Sequence, residues 1–126
     1  MTDALVQFLR ARLNDDEQIA RGHQQWSAGW DQDNMAKEIR DDVNAGTVAF
    51  VPRLGDRTHI ARHDPARVLA EVEAKGAVIG LYELAIEYRQ DAAARAYRDV
   101  LRLLSVAYAD HPDFAKDWAP DPANPV

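Results

Sequence analysis

The sequence predicts an α+β fold, mostly helical: an antiparallel helix pair plus an N-terminal helix, with a short β-hairpin packed on it. Three observations carry this expectation. Apolar residues recur at helical spacing in three long stretches, within residues 5–20, 68–88 and 97–108. One β-branched and aromatic run, TVAFV at 47–51, is followed by the turn-like RLGD and a second short run, RTHIA at 57–61. The pair Asp64-Pro65 then marks a helix start, because proline suits the first helical position and pushes the residue before it out of helical geometry.

In chain order, Thr2 or Asp3 is placed to cap a first helix whose inner face carries Leu5, Phe8, Leu9, Leu13 and Ala20, with Gly22 as its stop. The polar stretch HQQWSAGWDQDN reads as a loop that folds Trp26 and Trp30 back onto the core. A second, shorter helix is expected from a cap at Asp31 or Asp33 through Met35, Ile39 and Val43, spaced by four and ended by Asn44 and Gly46. The runs 47–51 and 57–61 pair as a hairpin, which must lie on the helices because a two-stranded ribbon is marginal alone.

The long helix from Pro65 carries two apolar stripes. Val68, Val72, Ile79, Tyr82 and Ile86 form one; Ala74, Val78, Leu81, Ala85 and Tyr88 form the other. So broad a face predicts a helix covered on more than one side. Gly76 and Gly80 fall inside it, where each costs about 1 kcal/mol relative to alanine. Close packing of the first helix against them is expected to offset that cost, with a seam to a second chain as the alternative. RQDAA at 89–93 is a break. A last helix runs through Tyr97, Val100, Leu101, Leu104 and Tyr108, and one further capped turn is expected at Pro112.

A chain of 126 residues, 47% hydrophobic, can bury one proper core, so residues 1–118 are expected to form a single compact domain. Residues 119–126, with three prolines, read as a flexible tail. There is no cysteine, which excludes disulfides, thiolate metal sites and cysteine nucleophiles and fits a reducing cytoplasm. The N-terminal residues resemble neither a signal peptide nor a membrane span. A net charge of −6 opposes general nucleic-acid binding. Residues 52–67 run against that trend, with Arg53, Arg57, Arg62 and Arg67 against Asp56 and Asp64.

The candidate binding residues cluster near that basic segment: His59, Arg62, His63 and Arg67, with His111 further on. Two histidines four apart can share zinc on a helix, as in HExxH enzymes, but the glutamate of that motif is missing. On an extended strand His59 and His63 would stand about 13 Å apart, at roughly 3.3 Å per residue, too far to share one ion. No metal and no cofactor is therefore expected. The N-terminus of the long helix offers an anion its backbone N–H groups, yet Asp64 is placed to occupy them itself. The acids of WDQDNMAKE lack the glycine and glutamate that a calcium loop needs at its sixth and twelfth positions; counted from Asp31 these are Ala36 and Asp42. Phosphate-loop, dinucleotide and serine-nucleophile motifs are absent from the sequence.

The segments HIARHDPARVLAEVEAK and VLRLLSVAYADHPDFAKDW, with the opening LVQFLRARLNDDEQIAR, resemble a family of small uncharacterised actinobacterial proteins known only as a domain of unknown function. The matching residues are His59, Ile60, Ala61, His63, Asp64, Pro65, Tyr108, Asp110, His111, Pro112, Phe114 and Trp118. This chain departs from the family where Gly76-Ala77 follows Lys75, and where QQWSAGW replaces a Pro-Gly-Pro-Trp turn. The resemblance implies an actinobacterial setting and no reaction. The expected function is that of a non-catalytic cytoplasmic interaction or regulatory protein, with a protein partner or a second copy of itself. Two alternatives stand beside it: an enzyme or ligand-binding protein with His59, His63 and His111 in one pocket, and a DNA-contacting regulator using the basic hairpin.

Overall fold

The computed structural model describes residues 3–23 and 29–120. Trp26 and the last six residues of the tail lie outside the described residues. Four helices and three strands follow one another: α1 (Ala4–His23), β1 (Trp30–Asp33), β2 (Glu38–Asp41), β3 (Thr47–Phe50), α2 (Leu54–Arg62), α3 (Pro65–Glu87) and α4 (Asp91–Ser105), then two 3-10 turns, Val106–Tyr108 and Lys116–Trp118. The chain is an α+β protein, helical in majority. Its residues group into two compact units, residues 1–14 with 73–126, and residues 15–72.

The first unit is built from the N-terminal half of α1, most of α3, and α4. Asp3 starts α1: its Oδ1 accepts the Leu5 N–H at 2.9 Å, and its carbonyl accepts the Gln7 N–H at 3.0 Å. Leu5, Val6, Phe8, Leu9 and Leu13 are buried on this helix, as the apolar spacing requires. From α3 come Ile79, Tyr82 and Ala85; from α4 come Ala94, Leu101 and Ser105. The Asp3 carboxylate also ties the helices together. Its Oδ2 accepts the Tyr82 hydroxyl at 2.9 Å and an Arg98 N–H at 2.7 Å. Arg10 on α1 pairs with Glu83 on α3. The turn between α3 and α4 places Arg89 at φ 54°, the left-handed conformation that ends a helix sharply.

The expectation that α3 is covered on more than one side is corrected here. Ile79 is fully buried, but Leu81, Leu84, Ile86 and Tyr88 are 45–67% exposed. The expected close packing at the glycines is also absent. A Cβ built on Gly76 or Gly80 meets nothing within 4 Å.

The second unit holds a three-stranded antiparallel sheet in the order β1-β2-β3. The expected helix over 33–43 is instead the β1–β2 hairpin, with Ile39 opposite Gln32. The period-four stripe offered one apolar residue per turn, too little to hold a helix. The aspartates decide the matter. Asp33 Oδ1 accepts the Met35 and Ala36 N–H groups at 3.1 and 3.0 Å, and Asp41 Oδ1 accepts the Val43 N–H at 2.8 Å. Each closes a turn at a strand end. Ile39 is fully buried, whereas Met35 is 96% exposed at the hairpin tip.

TVAF is a strand as expected, but it pairs with β2, with a register shift at Ile39/Arg40. RTHIA is not its partner. It belongs to α2, where Arg57, Ile60 and Ala61 turn inward at helical spacing. Arg57 is buried, donating to the carbonyls of Val51 and Pro52 at 2.9 Å each, and to Asn34 Oδ1 at 3.3 Å. The basic hairpin therefore does not exist, and its central arginine is a structural brace.

Candidate functional site

α2 ends where α3 begins, and the histidines lie at that joint. Because residues 54–62 are helical, the rings of His59 and His63 stack 4.4 Å apart at 33°, not at strand separation. His63 Nδ1 lies 2.8 Å from the His59 carbonyl, so this nitrogen carries the proton and donates it. Among the described residues no group of three or more His, Asp or Glu side chains is arranged to hold a metal ion. Asp64 caps α3: Oδ1 accepts the Arg67 N–H at 2.9 Å, and Oδ2 accepts the Trp30 N–H of β1 at 3.1 Å. One carboxylate thus starts a helix and anchors a strand. It also occupies the N–H that an anion would need. The Arg67 side chain turns to Glu71 at 3.0 Å, while Arg62 is exposed.

Within this unit, Asp16, Ile19, Ala20, Trp30, Val48, His63, Pro65 and Val68 line a mostly apolar cavity of about 420 Å³. Of the five candidate residues only His63 borders it. Its wall includes the 76% exposed Ile19, so it opens to solvent.

His111 belongs to the other unit and has a packing role. After α4 the segment YADHPDFAKDW folds over Phe8 of α1. Tyr108, His111, Phe114 and Trp118 place their rings 5.2–6.4 Å from the Phe8 ring. The Arg12 guanidinium lies 5.3 Å over the same ring and 3.0 Å from His111 Nδ1, which also accepts the Asp113 N–H at 3.0 Å. Two donors on one ring nitrogen mark it as an acceptor. The capped turn expected at Pro112 is present: the Phe114 N–H donates to the His111 carbonyl at 3.0 Å, and His111 Nδ1 caps the Asp113 N–H. A 3-10 turn follows at Lys116–Trp118, where Trp118 is buried.

Sequence reasoning missed an exposed apolar seam of this unit. Ala74, Ala77, Leu81, Leu84 and Tyr88 follow one another at spacings of three, four, three and four, and all are exposed. Tyr82 and Glu83, which bond to Asp3 and Arg10, point the opposite way around the helix. On α4, Ala92, Ala96, Val100 and Leu103 are likewise exposed and lie opposite Ala94, Leu101 and Ser105. The alternating three-four spacing is the signal that could have found this seam, since it is the period of helices that pair.

These features define a small α+β protein whose chemistry-bearing residues mostly cap, brace and pack, and whose helical hairpin keeps one apolar face bare. The chain belongs to the Family of unknown function (DUF6221), whose profile matches residues 2–120. No curated protein and no solved structure matches it.

Proposed function

We propose that this chain is a small non-catalytic interaction or regulatory protein of the actinobacterial cytoplasm, acting through the bare face of the α3–α4 hairpin. The observation that carries this reading is the exposed seam: Leu81, Leu84, Tyr88, Val100 and Leu103 are 39–67% exposed along two neighbouring helices. Contiguous apolar surface of this kind marks contact sites more often than idle surface. No helix among the described residues is long and apolar enough to cross a membrane.

Size-exclusion chromatography of extract from the producing cell tests the reading. The tagged native chain should elute in a species larger than its monomer, and Leu84→Glu with Leu103→Glu should elute as the monomer. Identical elution of the two would refute it.

A second reading rests on the 420 Å³ cavity beside His63. Its walls suit a small, largely apolar ligand carrying one hydrogen-bond acceptor or donor for the imidazole. Quenching of tryptophan fluorescence by a panel of aromatic carboxylates and amines checks it. A saturable signal lost in Val68→Trp supports the cavity, and a flat response across the panel removes it.

A further inference from the structure

We infer that the occupant of the α3–α4 face is a second copy of this chain, docked so that α3 of each protomer lies across α4 of the other. The inference rests on the interaction reading above and gives that surface its partner. It starts from the register of the hairpin. The Tyr82 hydroxyl lies 3.4 Å from Arg98 Nη1, so residues equally distant from Gln90 share a level on the two helices. Along the bare face, large residues on one helix then sit level with small ones on the other. Tyr88 lies level with Ala92, and Leu84 with Ala96. Ala77 lies level with Leu103, and Leu81 is within one residue of Val100.

A two-fold axis parallel to the hairpin brings α3 of one protomer onto α4 of the other at unchanged height. Every large side chain then meets a small one or a valine, and the interface is the same patch used twice. Knobs from one hairpin fill the space above the alanines of its partner, which gives a four-helix arrangement with the three-four packing of bundles.

Charge supports the same docking. By helical spacing Glu87 lies on the edge of α3 away from α4, and Arg95 on the edge of α4 away from α3. Neither makes an ion pair among the described residues. The two-fold operation places Glu87 of one protomer beside Arg95 of the other, at both edges of the interface. Self-pairing of α3 on α3 would instead bring Glu87 towards Glu73 of the partner. The size sets the strength expected of the contact. α4 has 15 residues and is therefore about 22 Å long. Two helices at the usual 8–10 Å spacing present a face roughly 20 Å wide. At roughly 22 by 20 Å, that face is about half the ~800 Å² per partner of standard interfaces, the scale of a weak dimer.

Sedimentation equilibrium of the purified full chain, from about 1 to 500 µM, tests the proposal. The parent should fit a reversible monomer–dimer equilibrium. Leu84→Glu should weaken the dimer by about 100-fold or more, with unchanged far-UV circular dichroism. Glu87→Arg and Arg95→Glu should each weaken it about 3–10-fold, and the double swap should restore it to within about 3-fold of the parent. A parent that stays monomeric throughout, a dimer indifferent to Leu84→Glu, or a double swap no better than the singles would overturn the proposal. Because the purified chain is tested alone, a monomer here together with a large species in cell extract would retain the interaction reading and assign the face to a different protein.

Discussion

Two aspartates show how much structure one side chain can organise. Asp64 was legible as a cap, because Asp-Pro allows little else. That its second oxygen would hold Trp30, 34 residues away in sequence, was not legible, because nothing local encodes a tertiary partner. Asp64→Ala should therefore cost more than a cap alone, about 1–2 kcal/mol, read as a lower urea midpoint. An unchanged midpoint would refute both bonds. Asp3 couples to pH. Burial pushes its carboxyl up, but the hydrogen bonds from Tyr82 and the Leu5 N–H, with the positive charge of Arg98, outweigh this and hold it below its ordinary 3.8. The unfolded chain therefore takes up this proton at higher pH than the folded one. The contribution of Asp3 is present above pH 3.8 and is lost as acid carries the pH down through the lowered value. Asp3→Asn should be less stable than the parent at neutral pH, with the gap closing in acid. A gap of equal size at both ends would contradict the clamp.

At the scale of the element, the long amphipathic segments were readable and the short ones were not. α1, α3 and α4 each present enough apolar residues at one period to identify themselves. β2 has one apolar residue, Ile39, and its partners arrive from both sides in sequence, so periodicity could not find it. The Asp, Asn and Gly residues at 33–34 and 41–46 carried the signal as turn formers. α2 was misread because Thr58, His59 and Ile60 suit an extended run. Arg57 settles the matter by capturing two carbonyls from inside the unit. The histidine separation failed with it, since that distance depended wholly on the strand assignment. The glycines of α3 follow from the same structure. With nothing within 4 Å of either position, Gly76→Ala removes backbone freedom from the unfolded chain and meets no obstacle. It should raise stability by about 1 kcal/mol in thermal or chemical melts. Destabilisation would mean that a neighbour sits against that face in solution.

At the scale of the whole molecule, the sequence signalled fold class better than activity. The residues that looked chemical make structural contacts: His63 with a helix-end carbonyl, His111 with the Phe8 ring, Arg67 with the Glu71 carboxylate. What the sequence concealed was that covered and bare surface on α3 cut across the two stripes: Ala85 of the second is buried, Ile86 of the first is exposed, and the bare seam takes in Ala77 and Leu84, which belong to neither. The central claim is that this bare seam is the working surface. Site-specific photo-cross-linking in the producing cell tests it most directly, with the photoreactive residue at position 84 on the bare face, or at Glu17 as a control. The account predicts a discrete adduct from position 84 and none from position 17. Absence of any adduct from position 84, or equal adducts from both, would contradict it.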